Sequence, residues 1–280
     1  MKPSDAVTAA LATQAKSGAF LSTVHIEGKP LPEENAFATA LVVHQLSRWA
    51  QEAAVRDAIE RALDFLLRCE LEGRPGHFCF YPATAYPSWM LVSLPPDSDD
   101  TALCASLLVR YGRRPEVFLR HVAEEVLSPF QLHYLSEASE PWHRVGVYLT
   151  WLRAGYPDNV VDCCVNVNVL ALLAQAKLTA TRSFAAIVNM LDAAIDCAGP
   201  HFERARMLSP WYPHPNELVR AVERAVSVGV DALHPTLARM RSTPWGRRER
   251  RWLAHTPVCG SRDRRIVWTC DVLQELRALD

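Results

Sequence analysis

Apolar positions in this chain recur mostly at three- and four-residue spacing, the period of helices that bury one face. Val55, Ile59, Leu63 and Leu66 mark such a face across residues 52–69. Residues 5–16 read as an amphipathic helix ended by Ser17-Gly18, and residues 34–49 as a small-residue apolar one. Further helices are predicted over 98–111, stopped by Gly112, and over 115–126, opened by Pro115 at a favoured first helical position. Others follow over 143–154, 160–176, 182–197, 215–226, 231–240 and 267–279. Residues 73–96 hold two glycines, five prolines and several aromatics, so they form a long irregular connection. No period-two run and no Asn-Gly turn announces a strand. The chain is read as all-α.

The helices come in pairs. Leu41, Leu103, Leu170, Leu218 and Leu273 each lie a few residues into a small-residue apolar helix, after a polar residue near its start: Asn35, Asp100, Asn166, Asn216 and Thr269. Between them lie Arg/Glu-rich amphipathic helices such as 52–69 and 114–126. Inner helices alternating with outer ones make a closed ring of hairpins, an α/α toroid. In such a ring the inner-helix starts converge on one end of a central cavity and place their first-turn polar residues there.

Composition narrows the function. The 280 residues are enough for one large core, read here as a single domain over 1–280. Lys and Arg total 30 and Asp and Glu 31, a formal net charge of −1. A nucleic-acid binder would show a basic excess, and this chain has none. No glycine-rich phosphate loop of the GxGxxG or GxxxxGK[ST] type occurs. Neither a signal peptide nor a run of about 18 apolar residues is evident, so a cytoplasmic protein without a transmembrane segment is expected. The eight cysteines lack CxxC spacing and read as reduced, buried thiols.

The chemistry concentrates at Pro96-Asp97-Ser98-Asp99-Asp100-Thr101-Ala102, three carboxylates within four residues at a helix start. Asp97 as N-cap, Asp100 in a capping box and the helix dipole explain acids here without any catalysis. A DxDD string arises by chance in roughly one chain in twenty of this length, and the following Thr-Ala lowers that about a hundredfold. Crowded carboxylates cannot all ionise cheaply, so one keeps its proton. Facing an apolar, aromatic cavity, such an acid can protonate a carbon–carbon double bond or an epoxide.

The DxDDTA string on helical hairpins resembles the class II terpene cyclases, the squalene-hopene and copalyl-diphosphate synthase type. The resemblance implies an α/α toroid, an isoprenoid or other apolar small-molecule substrate, Asp99 as the general acid, and Asp97 and Asp100 as its tuning partners. The QxxxGxW repeats of triterpene cyclases are absent, and so is DDxxD, leaving Mg-assisted diphosphate loss unsupported. The length allows one toroid, which could close its chamber by forming a homodimer.

Asn166 and Asn168 open another inner helix, where an amide could position a water that takes the final proton, or satisfy helix-start hydrogen bonds. Asp162, Cys164 and His214 resemble the zinc set of protein prenyltransferase β subunits, which share the toroid. That alternative is a zinc-dependent transferase, whereas proton-initiated cyclisation calls for no cofactor. A non-catalytic toroid that binds an apolar ligand or a partner protein is the third reading. Of the aromatics near inner-helix starts, Tyr81, Trp89 and Trp211 are the candidate substrate-lining residues, because π faces stabilise carbocations. The arginines of 239–265 read as a solvated basic face rather than as a diphosphate clamp.

Overall fold

A computed structural model describes residues 3–157, 159–247 and 256–279. The chain forms two compact units, Met1–Pro95 with Glu249–Asp280, and Pro96–Arg248.

The first unit holds α1 (Pro3–Ala12), β1 (Leu21–Ile26), β2 (Lys29–Glu34), α2 (Ala36–Leu46), α3 (Ala53–Arg68), β3 (Cys259–Gly260), β4 (Ile266–Thr269) and α11 (Asp271–Arg277). Its four strands form an antiparallel sheet in the order β2-β1-β4-β3, so the all-α reading is overturned. The hairpin escaped the pattern for two reasons. Its turn is Glu27-Gly28, both at positive φ as a two-residue hairpin demands, without the usual Asn-Gly. β2 reads Lys-Pro-Leu-Pro-Glu-Glu and lies at the sheet edge, where proline is tolerated and most side chains are wetted, so no alternation shows. β4 falls at the head of the helix expected over 267–279. Its Ile-Val-Trp-Thr run is β-branched and aromatic, and pairing with β1 takes it into the sheet before α11 begins.

α2 packs on α3 and on α11, burying Leu41, Leu46, Ile59, Leu63 and Leu66. Each such side chain contributes about 1.5–3 kcal/mol. Asn35 caps α2 through Oδ1, which accepts from Ala38 N at 2.8 Å, and its Nδ2 donates to Ser22 on β1 at 2.8 Å. Gly18 turns at φ +96° against α3, where a Cβ would lie 2.1 Å from the Arg61 carbonyl oxygen.

The second unit holds α4 (Ser98–Arg110), α5 (Val117–His121, continued by a π-helical turn to Leu127), α6 (Cys163–Gln175), α7 (Arg182–Ala198), α8 (Phe202–Met207), α9 (Asn216–Ser227) and α10 (His234–Ser242). α4 packs on α6 and α6 on α9, so three of the expected inner helices are consecutive neighbours. The helix expected over 143–154 does not form. Gly146 turns at φ +95°, and the chain then runs as an extended strap across the starts of α4 and α6. Ser98 N donates to Thr150 O at 2.8 Å, Leu152 N to Pro96 O at 2.9 Å, and Tyr148 N to Asn166 Oδ1 at 2.8 Å. Those partners, distant in sequence, override the local helical period.

Candidate functional site

The strap and the two helix starts build the site. Asp97 is the N-cap of α4, its Oδ1 accepting from Asp99 N at 2.9 Å and Asp100 N at 2.7 Å. The next turn is buried with it: Asp97 and Asp99 are each 6% exposed and Asp100 1%. Asp162 caps α6 in the same way, Oδ1 accepting from Cys164 N at 2.7 Å and Val165 N at 3.2 Å, and Oδ2 from Trp211 N at 3.2 Å.

Four carboxyl groups are thus buried together, and their titration follows. Burial pushes Asp97 up to about 6, against the hydrogen bonds it accepts from Asp100 and from the Asp99 backbone. Burial, then the charge of Asp97, then that of Asp99 hold Asp100 well above the carboxylate range, and its carboxyl shares a hydrogen bond with Asp97. Asp100 Oδ1 has no partner among the described residues, which a neutral carboxyl tolerates far better than an anion. Asp99 is likewise pushed well up, by burial first and the charge of Asp97 second. A hydrogen bond from Asn168 and, more weakly, the charge of Arg224 pull it the other way. Burial lifts Asp162 to about 7 against its backbone donors.

A stability prediction follows. Asp97 and Asp162 hold protons in the folded chain up to about 6 and 7, against an ordinary value of 3.8. The folded state therefore binds more protons than the unfolded one between roughly pH 4 and pH 7, and its stability falls as pH rises through that window. The urea midpoint is expected to be higher at pH 5 than at pH 8, with a smaller difference in Asp97→Asn. A midpoint that climbs over the same range would mean the cluster ionises without cost.

The structure separates the two asparagines. Asn166 is fully buried, and its amide serves the backbone: Oδ1 accepts from Tyr148 N, and Nδ2 donates to Tyr148 O and to Asp162 O, both at 2.9 Å. Asn168 instead donates through Nδ2 to Asp99 Oδ1 and accepts through Oδ1 from Arg224 Nη2 at 2.7 Å. Arg224 was not a sequence candidate. It lies on α9, an expected inner helix that also carries Arg220, and no local signal says which arginine reaches Asn168.

Trp211 edges onto Trp151 with centroids 5.3 Å apart, and Trp151 lies tilted against Tyr156 at 5.1 Å. Trp151 pairs through its backbone with Asp97, so this aromatic group adjoins the acids. The indole N–H groups of Trp151 and Trp211 are buried without a hydrogen-bond partner among the described residues.

Tyr81 and Trp89 belong to the first unit, where they meet a carboxylate the sequence did not mark. Glu33 is 7% exposed and accepts from Tyr81 Oη at 2.7 Å, from Trp89 Nε1 at 3.2 Å and from Trp268 Nε1. Burial raises its carboxyl, and the three aromatic donors oppose the rise. Phe80 stacks edgewise on Tyr81 and Trp268 at 4.8 and 5.2 Å. One carboxylate therefore ties β2, β4 and the connection around Trp89 together. Glu33→Gln removes one acceptor oxygen and sets an NH₂ against an indole that can only donate, at an expected cost of about 1–3 kcal/mol. Chemical denaturation followed by tryptophan emission measures it, and an unchanged midpoint would refute the clamp.

The zinc set is not assembled. Among the described residues no group of three or more His, Cys, Asp or Glu is placed to hold a metal ion. The Asp162 carboxylate is taken by backbone N–H groups, and burial and the Asp162 charge hold the Cys164 thiol well above its ordinary range, away from the thiolate that zinc binds. His214 accepts from Asn216 N at 3.2 Å and sits edgewise on Phe202 at 5.3 Å. In the arginine segment, Arg239 pairs with Asp192 and Asp196, and Arg241 with Glu223. Arg248, Arg250 and Arg251 lie outside the described residues.

Comparison with known structures places the fold. A protein from Actinoplanes is 19% identical, with a TM-score of 0.52 over 90% of this chain and 66% of its own. The type II terpene cyclase MstE from Scytonema, without ligand, is 16% identical, with a TM-score of 0.51 over 85% of this chain and 60% of its own. The chain has a terpene cyclase-like fold. It spans only 66% and 60% of the lengths of these two neighbours. Other structures of MstE hold geranylgeranyl dihydroxybenzoate as substrate or merosterolic acid A as product. No family model matches the chain, and no curated protein matches it. Among the described residues no helix is long and apolar enough to cross a membrane.

Proposed function

We propose that the protein starts the cyclisation of an isoprenoid by protonating a carbon–carbon double bond, with Asp99 as the acid. The observation that carries this reading is the setting of Asp99: a buried carboxyl whose ionisation is opposed by burial and by the charge of Asp97, with a neutral donor on one oxygen. Such a group gives up its proton less readily than an ordinary carboxyl, yet its conjugate base has Asn168 and the positive charge of Arg224 to receive it.

In the step, the Asp99 O–H bond breaks and its electron pair stays on the carboxylate. The π pair of the alkene forms a new C–H bond, leaving a cation at the more substituted carbon. Further double bonds of the same chain attack that cation in turn, and loss of a proton to water ends the sequence. Asp97 and Asp100 hold one proton between them and set the local potential, and the faces of Trp151 and Trp211 suit a nearby cation. Asn166, occupied by backbone, maintains the scaffold.

The test offers geranylgeranyl diphosphate, geranylgeraniol and geranylgeranyl dihydroxybenzoate to the wild type and to Asp99→Asn, with cyclic products resolved by mass spectrometry. Cyclised product from the wild type alone is expected. Equal product from both, or none from the wild type with any probe, favours a protein that binds an apolar ligand without turning it over.

A further inference from the structure

We infer that Arg224 is a positioning residue for Asp99: by holding the oxygen of the Asn168 amide it directs the amide nitrogen onto Asp99 Oδ1, and so places the transferable hydrogen on Asp99 Oδ2. This rests on the reading of Asp99 as the acid.

The argument needs only the inventory of donors and acceptors. A guanidinium carries donors and no acceptor. Arg224 Nη2 lies 2.7 Å from the Asn168 amide, so the amide atom facing it is the oxygen. The nitrogen must then face Asp99, where it donates to Oδ1. Turning the amide over would set NH₂ against guanidinium, two donors in contact at a site where Asn168 is 3% exposed and water offers little relief. An amide N–H cannot accept a hydrogen. Asp99 Oδ1 is therefore the carbonyl oxygen of the neutral acid, and the hydroxyl is on Oδ2.

Without the guanidinium the amide is free to turn. It would then present its oxygen to Asp99, and the acid would donate its hydrogen to Asn168 instead of to an alkene. The relay also serves the moment after transfer, because the same N–H bonds the new carboxylate and the positive charge stands behind it. It crosses three adjacent helices, from α9 through α6 to α4. In sequence, 56 residues separate Arg224 from Asn168 and 69 separate Asn168 from Asp99.

The experiment uses Arg224→Met, which keeps bulk and removes the donors, and Arg224→Lys, which keeps charge and donors. Two readouts are taken. The first is the infrared C=O stretch of the Asp99 carboxyl, assigned by its loss in Asp99→Asn and requiring no substrate. In Arg224→Met it is expected to move to higher wavenumber, as the carbonyl oxygen loses its donor, and in Arg224→Lys to stay with the wild type. The second is turnover of whichever probe named above yields product. There kcat is expected to fall about tenfold to hundredfold in Arg224→Met, with KM nearly unchanged and most of the rate restored by lysine. In an Asn168→Ala background, Arg224→Met should cost much less.

An unmoved C=O band in folded Arg224→Met overturns the inference, and so does a full-sized rate effect that persists in Asn168→Ala. Should Arg224→Met fail to fold, Arg224→Lys decides: a lysine variant with a displaced band overturns it, and a wild-type band supports it. A band that shifts as expected in a protein that cyclises none of the probes supports the amide orientation and counts against the cyclase reading, so the two fail separately.

Discussion

Asp99→Asn is expected to lower product formation by about 10²–10⁴-fold, the usual range for loss of a general acid, while the folded protein stays as stable as the wild type or becomes slightly more so. The two halves of this expectation have one cause. Asparagine has the shape of aspartic acid, and its Oδ1 can still accept the Asn168 hydrogen bond seen at Asp99. What disappears is the exchangeable proton and, with it, a buried group that Asp97 and the apolar surroundings resist ionising. Removing a titratable group from such a cluster relieves an energetic cost. Thermal melts beside product analysis separate chemistry from folding. A variant that loses both activity and many degrees of melting temperature would assign Asp99 to the scaffold.

The second large effect is expected at Asn166. Asn166→Leu should destabilise the protein by about 3–5 kcal/mol, since leaving buried backbone donors and acceptors unpaired costs roughly 1–3 kcal/mol each. The amide holds both the N–H and the carbonyl of Tyr148, and Asn166 is completely buried. The consequence reaches the acid. The strap pinned at Tyr148 goes on to accept from Ser98, through Leu149 O to Oγ at 2.7 Å and through Thr150 O to N at 2.8 Å. Loosening it frees the first turn of α4, so acid-dependent turnover should fall together with stability. Urea unfolding gives the loss of stability, and hydrogen exchange at the Ser98 amide reports the loosened first turn. A loss under about 1 kcal/mol would mean that the strap is held elsewhere.

Asp97 illustrates what was legible along the chain. An acid before Ser-Asp-Asp-Thr-Ala predicts a helix cap, and the cap forms, its side chain accepting from Asp99 N and Asp100 N. The stripe Val55, Ile59, Leu63 and Leu66 is buried as its spacing requires. Asp99 and Asn168 were both marked, on separate grounds, yet nothing in either segment says that they touch. Residues 143–154 show the opposite failure: a helical period is present locally but yields to Asn166, Ser98 and Asn159, which take the strap's backbone bonds. Glu33 carries no signal along the chain, and only the return of Trp268 on β4 makes it the centre of an aromatic clamp.

Period, caps and the aspartate string are properties of residues within a turn or two of each other, so the order of residues alone settles most helices, the cap at Asp97 and the crowding of three carboxyl groups at one helix start. The pairing of β1 with β4, the strap, the Glu33 clamp and the run from Arg224 through Asn168 to Asp99 join groups tens to hundreds of residues apart. Hydrogen bonds of that kind depend on which buried donor ends beside which acceptor, and only the packed chain decides that.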